Sequence, residues 1–164
     1  MGCAGARPFL CADGIVIMAT QLEIRQAVKA LTAAAVPAAR VMGFDRDESR
    51  PTRGDPGGVI LGEIGDSQLI DTDLSPLTYY YELPFTVQLM PPTGMSDDAA
   101  TAWLAATAGA IGAAIVADRY LGGRAEWVEA DPTSEESFTP TNAEQQRWQL
   151  FDLRVQYATQ DPLN

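Results

Sequence analysis

The clearest pattern in the chain is an alternation of apolar and polar positions over residues 78–90. The apolar side chains fall on every second residue, at Tyr79, Tyr81, Leu83, Phe85, Val87 and Leu89. A period of two places them on one face of a β-strand. Pro84 has no N–H to donate to a ladder, so we expect an edge or a β-bulge at that residue.

Several shorter segments also have the composition of strands. They are residues 38–44, 57–64, 124–130 and 147–158, and the last of them alternates again through Phe151, Leu153, Val155 and Tyr157. We expect residues 65–77 to form a polar link or an irregular edge strand, and residues 131–142 to form an acidic loop.

Two segments predict helices. Thr20 and Glu23 form a capping box at the start of the first, and Pro37 ends it. The second spans about 96–118, begins at Ser96 and is rich in Ala. Apolar residues recur at helical spacing in both, at Ile24, Val28, Leu31 and Ala35 and at Leu104, Ala108, Ile111 and Ile115. The order of elements predicts a single-domain α+β fold, a mostly antiparallel β-sheet covered by two α-helices.

The first 18 residues differ in sequence pattern from the rest of the chain. Met18 stands two residues before Thr20, the first residue of the capping box, which is typical of a natural start. We therefore interpret residues 1–18 as a flexible N-terminal arm or a mis-called start, and residues 19–164 as the α+β domain.

The amino-acid composition limits the kinds of chemistry that this chain can perform. The 164 residues include 22 Asp and Glu against 11 Lys and Arg, a net charge of −11, and no His. An acidic chain lacks the basic face that broad nucleic-acid binding needs. The absence of His removes the commonest general base and the commonest transition-metal ligand.

No arrangement of the remaining reactive side chains predicts a catalytic, cofactor or metal site. Asp66, Asp71 and Asp73 lie in a polar segment where solvation is the simpler interpretation, and Glu126 and Glu129 are spaced to point to opposite faces of a strand. Cys3 and Cys11 are too few for a disulfide framework or a closed zinc site. We expect no enzyme, no cofactor and, because no apolar run approaches the roughly 18 residues of a membrane helix, no membrane partner.

Three segments together resemble one protein family. Residues 74–79 read LSPLTY, residues 111–129 run from IGAAIVADRYLGG into AEWVE, and residues 155–163 read VQYATQDPL. In this order they resemble the tail terminator (tail-completion) proteins of long, non-contractile-tailed bacteriophages and related prophages. The resemblance covers roughly residues 19–163, and its most specific segment is 111–129.

The resemblance implies a structural virion protein with no catalytic residue to transfer. Such a subunit forms a six-fold ring that caps the tail tube, ends its polymerisation and joins the tail to the head-completion complex. Its partners are then further copies of itself, the tail tube protein and the head-completion or connector protein. DNA passes through the lumen without specific binding, and an acidic lumen favours passage. The implied location is the head-proximal end of the tail, assembled in the host bacterial cytoplasm.

Two other classes of protein remain open. One is another head–tail connector or a tail tube component, and the less favoured one is a small enzyme. For the subunit or tube interface the sequence offers the charged loop at residues 45–56, in which Arg46, Arg50 and Arg53 stand among carboxylates. Arg forks meeting carboxylates of a neighbour are one interpretation of this loop, and simple solvation is the other.

Overall fold

The structure, a computed structural model, describes residues 19–44, 55–132, 139–141 and 144–163. The expected N-terminal arm at residues 1–18 lies outside the described residues. The same holds for residues 45–54 of the charged loop.

Two helices and eight strands follow one another along the described chain. They are α1 (Gln21–Ala35), β1 (Arg40–Met42), β2 (Val59–Ile64), β3 (Gln68–Leu74), β4 (Leu77–Met90), α2 (Asp97–Ala117), β5 (Trp127–Ala130), β6 (Thr139–Thr141), β7 (Glu144–Gln146) and β8 (Gln149–Thr159).

Strand β4 is the centre of a six-stranded mixed sheet with the order β1-β2-β4-β8-β5. Along one edge of β4 runs β8, paired from Tyr79 to Leu89. The other edge is shared, because β2 pairs with the C-terminal part of β4 and β3 pairs with its N-terminal part. The β1–β2 pair is parallel and the other pairs are antiparallel. The predicted α+β class with one sheet and two helices is confirmed.

Pro84 is accommodated where the partner of β4 changes. β2 pairs as far as Phe85 and β3 begins at Glu82, so neither pairs with Pro84 itself. The Pro84 carbonyl faces this gap and accepts a hydrogen bond from the Gly65 N–H at 2.9 Å. Since N and O of one strand residue point to the same side, the missing N–H of Pro84 costs no bond to β8. β4 is thus a central strand rather than an edge strand.

The core lies between the helices and the face of the sheet that carries the odd-numbered residues of β4. Leu83, Phe85, Val87 and Leu89 are buried there, as the alternation predicts. The apolar stripes of the two helices close the other side, with Ile24 and Val28 from α1 and Leu104, Ile111 and Ile115 from α2.

The start of α1 is fixed as the sequence predicts. The Thr20 hydroxyl accepts from the Glu23 N–H at 3.2 Å, and the Glu23 carboxylate accepts from the Thr20 N–H at 2.8 Å. These bonds stabilise the carboxylate, so they lower the pKa of Glu23 below its usual value. Ala19, immediately before the cap, is buried and donates to the Ala158 carbonyl. The N-terminal end of the domain is thereby fastened to β8.

Two segments differ from the expectation. Within the predicted acidic loop and just after it, β6 and β7 form a separate two-stranded sheet. β5 begins at Trp127 rather than at residue 124, because Gly123 and Ala125 both donate their N–H groups to the Tyr120 carbonyl in a turn. These local backbone bonds leave no period-two or 3.6 signal in the sequence.

Helix α2 contradicts the expectation that no segment is long and apolar enough to span a membrane. It has 21 residues and, by length and composition alone, is long and apolar enough to cross a membrane. The expectation that no apolar run reaches that length is wrong, because residues 99–117 carry no charge. Core helices of soluble proteins meet the same criterion, so the absence of a membrane partner stays a prediction.

Gly109 and Gly58 should respond in opposite directions to Ala. A Cβ at Gly109 in α2 meets nothing within 4 Å, so Gly109→Ala gains helix propensity without a clash and should raise the free energy of unfolding by about 1 kcal/mol. Gly58 has a φ of 81°, and its Cβ would lie 2.5 Å from the Trp103 ring, so Gly58→Ala should lower it by at least about 1 kcal/mol. Urea denaturation of both variants measures this. A destabilised Gly109→Ala protein would contradict the open space around the Gly109 Cα.

Candidate subunit interface

Within the described part of the chain, one surface is distinguished by its exposure. It is the hairpin arm, residues 68–82, made of β3, the turn at 75–76 and the first residues of β4. Successive residues of a strand point to opposite faces, yet every residue of β3 except Thr72 is exposed. Neither face of this strand is therefore covered by the rest of the described chain.

The hairpin arm exposes large apolar side chains. The exposed fractions are 55% for Leu69, 49% for Ile70, 84% for Leu74 and 46% for Leu77. The strand register places Leu69, Leu74 and Leu77 on one face of the hairpin. Single exposed leucines are ordinary on protein surfaces, but three on one face of a hairpin form an apolar patch. Patches of this kind are typical of interaction surfaces.

The charge of the hairpin arm is entirely negative. Asp71 and Asp73 lie on β3, and the chain has no Lys or Arg between residues 65 and 90. The Asp73 carboxylate accepts a hydrogen bond from the Tyr80 hydroxyl at 2.8 Å, and Asp71 accepts from the Thr72 N–H. Asp66, Asp71 and Asp73 are all exposed, as the solvated interpretation requires.

Stacked tyrosines fasten the base of the hairpin arm to the body of the protein. The Tyr81 and Tyr157 rings stack with centroids 5.8 Å apart, and the Tyr157 hydroxyl lies 3.1 Å from that of Ser67. The Tyr81 hydroxyl also donates to the Pro162 carbonyl. The arm therefore has a fixed base and an uncovered end.

A second surface, the helix cleft, is an open depression of about 460 Å³ between α1 and α2. Small side chains make it: the apolar lining residues are Ala27, Ala30, Leu31, Ala34, Ala35, Ala114, Ala117 and Leu121. Because alanine gives each helix a thin side-chain layer, the two helices leave a groove where they diverge. Arg124 and Asp118 stand at its end.

The charged side chains that line the helix cleft are Arg124 and Asp118. Arg25 and Lys29 on α1 are spaced to the side of the helix away from the cleft alanines. The Arg119 guanidinium, in the turn after α2, lies over the Trp127 ring. The carboxylates of the same two segments are Glu23 and Asp118, and both are engaged locally, Glu23 with Thr20 and Asp118 with backbone N–H groups.

The turn at residues 118–123 holds α2 to β5. The Asp118 carboxylate accepts from the N–H groups of Tyr120 and Gly122, at 3.2 and 2.8 Å. Gly122 and Gly123 have φ values of 65° and 86°, which only glycine adopts without strain. Leu121, with a φ of 49°, is buried in the core. Each residue of this turn therefore has a structural task.

Arg119 completes the connection. Its guanidinium lies 4.7 Å from the centre of the Trp127 ring and donates to the Val128 carbonyl at 3.2 Å. Tyr120 meets the same ring edge-on. The segment with the most specific resemblance, 111–129, is thus a packed helix–turn–strand unit whose polar groups bond to each other.

Glu126, one of the two carboxylates considered for acid–base chemistry, is half-buried just before β5. Burial raises the pKa of Glu126 above its usual value. Glu129 is exposed on β5. Among the described residues, no group of three or more His, Cys, Asp and Glu is placed to hold a metal ion.

The predicted interface residues Arg46, Arg50 and Arg53 lie outside the described residues, so their role stays a prediction. The hairpin arm and the helix cleft were not singled out from the sequence. The sequence did contain an indication of the arm, because four large apolar residues stand in a polar segment expected to be at an edge: Leu69, Ile70, Leu74 and Leu77. Nothing in the sequence indicated the cleft, because alanine is common in any helix.

Comparison with known proteins assigns this chain to no family. No protein family model matches the chain, and no curated protein matches it significantly.

Glu126 generates a pH-dependent stability prediction. A raised folded-state pKa means that the folded protein holds this proton more tightly than the unfolded chain, whose value is near 4.5. The contribution of Glu126 is therefore most favourable below that pH and is lost as pH rises above it. Glu126→Gln should raise the melting temperature at pH 7 and leave it nearly unchanged at pH 3.5. Calorimetry at both values measures this, with the exposed Glu63→Gln as the control for removing one negative charge; equal effects of the two variants would contradict it.

Proposed function

We propose that this chain is a structural virion subunit of the tail-terminator kind. Copies of it form a ring that caps the phage tail tube, ends tube polymerisation and joins the tail to the head-completion complex. Its partners are other copies of itself, the tail tube protein and the head-completion or connector protein. DNA passes through the ring without specific binding.

The observation that carries this proposal is the hairpin arm. An arm with four exposed apolar side chains and a fixed base is built for contact with another protein rather than for chemistry on a small molecule. The resemblance at residues 74–79, 111–129 and 155–163 adds the kind of assembly. Residues 74–79 include the tip of the arm itself.

The two alternatives differ in what they require. A tail tube subunit uses the same kind of surface but stacks into long polymers, whereas a terminator stops at one ring. A small enzyme requires a pocket with converging reactive groups. An apolar space of about 10 Å³ inside the core is lined by side chains such as Val28, Ile111 and Phe151, with no titratable group among its lining residues.

Electron microscopy of the purified protein, alone and mixed with unfinished tail tubes, tests the proposal. A closed ring needs a head-to-tail contact whose rotation closes. We expect rings, at least at the ends of tubes. Long open filaments of this protein alone would point to a tube subunit instead.

The charged loop provides a second test. Replacing Arg50 and Arg53 with Ala should leave the melting temperature unchanged but reduce the yield of finished tails when the variant complements a phage that lacks this gene. Removing one partner of a desolvated Arg pair costs roughly 2–5 kcal/mol, whereas exposed pairs cost about 0–1 kcal/mol. Tail counts and plaque titres measure the effect. Normal tails and normal infectivity in the double variant would leave the solvated interpretation of the loop.

A further inference from the structure

We infer that the N-terminal apolar segment, residues 9–18, covers the apolar face of the hairpin arm in the same copy of the chain. That face is formed by Leu69, Leu74 and Leu77, which are exposed with respect to the described residues. Exposed apolar faces of this kind are normally covered by another part of the chain or by a partner. The argument for the first of these comes from the sequence of the segment and from the place where the described chain begins.

The apolar face of the arm continues the core face of the sheet. The odd-numbered residues of β4 point toward the helix layer, and Leu77 belongs to the same series. Leu74 pairs with Leu77, and Leu69 pairs with Tyr81, so both leucines lie on this side. Near β8 the C-terminal turn covers the face, because the Pro162 carbonyl accepts a hydrogen bond from the Tyr81 hydroxyl. The leucines beyond that turn remain exposed.

Composition identifies the segment that is suited to cover these leucines. Among the internal segments outside the described ranges, residues 45–54 contain no hydrophobic residue, and residues 133–138 and 142–143 contain one each. Residues 9–18 read FLCADGIVIM, with eight hydrophobic residues and Asp13 as the single charge. Apolar surface leaves water most favourably against other apolar surface. The N-terminal apolar segment therefore matches the face in chemistry, and the internal segments do not.

The described chain begins beside the apolar face. Ala19 is buried and donates its N–H to the Ala158 carbonyl, on the edge of β8 that β4 does not occupy. Ala158 lies opposite Tyr80, and Leu77 is three residues further along β4. With strands about 4.8 Å apart and roughly 3.3 Å per residue, Leu74 is about 17 Å from Ala19, which about six extended residues span. The N-terminal apolar segment is therefore long enough to reach the whole face.

Charge and tethering both favour this contact within one copy. Asp71 and Asp73 pair with Tyr80 and Thr78, so their carboxylates lie on the opposite face of the arm. The apolar face carries no charged residue of β3 or β4, so covering it with apolar chain desolvates no ion. Because the segment is joined to Ala19 directly, its effective concentration at the face is in the millimolar range, and even a weak apolar contact is populated.

The covered face also has a consequence for assembly. In the proposed ring the arm meets another protein, so that partner displaces the N-terminal apolar segment from the face. The segment then opposes association of free subunits, and only a partner that binds the arm more tightly shifts the balance. This regulatory step rests on the proposed function, whereas the covering of the face does not.

Cross-linking within one chain tests the contact. The full-length chain with Cys3→Ser and Cys11→Ser carries Ile15→Cys together with Leu74→Cys. At about 1 μM, where millimolar contacts between chains are not populated, a short bis-maleimide should join the two positions within one chain. Replacing Leu74→Cys by Asp73→Cys, its exposed neighbour on the opposite face, should lower the yield about threefold or more. Equal yields from positions 73 and 74, links only between chains, or no links at all would overturn the inference.

A charge placed in the segment supplies an independent measurement. In the full-length chain with Leu74→Cys as its single cysteine, Ile15→Asp should detach the segment and speed maleimide labelling of position 74 by about fivefold. Ala6→Asp, which adds the same charge outside the apolar run, should leave the labelling rate unchanged. Both variants should keep the helix content of the parent, because Thr20 caps α1 downstream of either position. Equal labelling rates in the parent and in the Ile15→Asp variant would overturn the inference.

The outcomes separate the covered face from the proposed function. Rings on tail tubes, formed by a protein in which Ile15→Asp does not change the labelling of position 74, would leave the terminator proposal standing and remove the covering segment. Protection of position 74 in a protein that forms only long filaments would keep the covering segment and remove the terminator proposal.

Discussion

The length of β4 is the constraint on which the rest of the structure depends. A strand of 14 residues cannot be covered along its whole length by helices that span less distance. β8 accompanies it on one edge almost throughout, but the other edge is divided between β2 and β3. The part paired with β2 lies under the helices and holds the core. The part paired with β3 belongs to the hairpin arm, where β3 itself is exposed.

The division of that edge also explains how a proline is tolerated in a central strand. At Pro84 the neighbouring strand changes from β2 to β3, so the Pro84 nitrogen has no ladder bond to make. The Pro84 carbonyl accepts a hydrogen bond from the Gly65 N–H. The body and the arm are thus separated by a residue that cannot donate. On the body side the odd-numbered residues of β4 are fully buried, while on the arm side the tyrosines are half-buried and stack on β8.

Local patterns explain why much of the fold follows from the sequence. The capping box at Thr20, the cap at Ser96 and the period-two face of β4 are each set by neighbours a few residues apart, and each is found as expected. Properties that depend on distant residues were not foreseen. The helix cleft arises from where alanines of α1 and α2 meet, the exposure of β3 from what fails to cover it, and the partner change at Pro84 from the tertiary order of strands. The carboxylates at Asp66, Asp71 and Asp73 were correctly expected to be solvated, but their place on an apolar arm was not.

The positions of the aromatic side chains make the body and the arm spectroscopically distinct. All three tryptophans lie outside the arm: Trp103 would touch a side chain at Gly58, Trp127 stacks under Arg119, and Trp148 precedes β8. The arm holds tyrosines alone. Indole fluorescence therefore reports the packing of α2 and of β5 on the sheet. The arm emits no fluorescence at the wavelengths that excite only indole. A single indole introduced near its tip would give the arm a signal of its own, and energy transfer from the arm tyrosines to the native indoles would report its distance from the body.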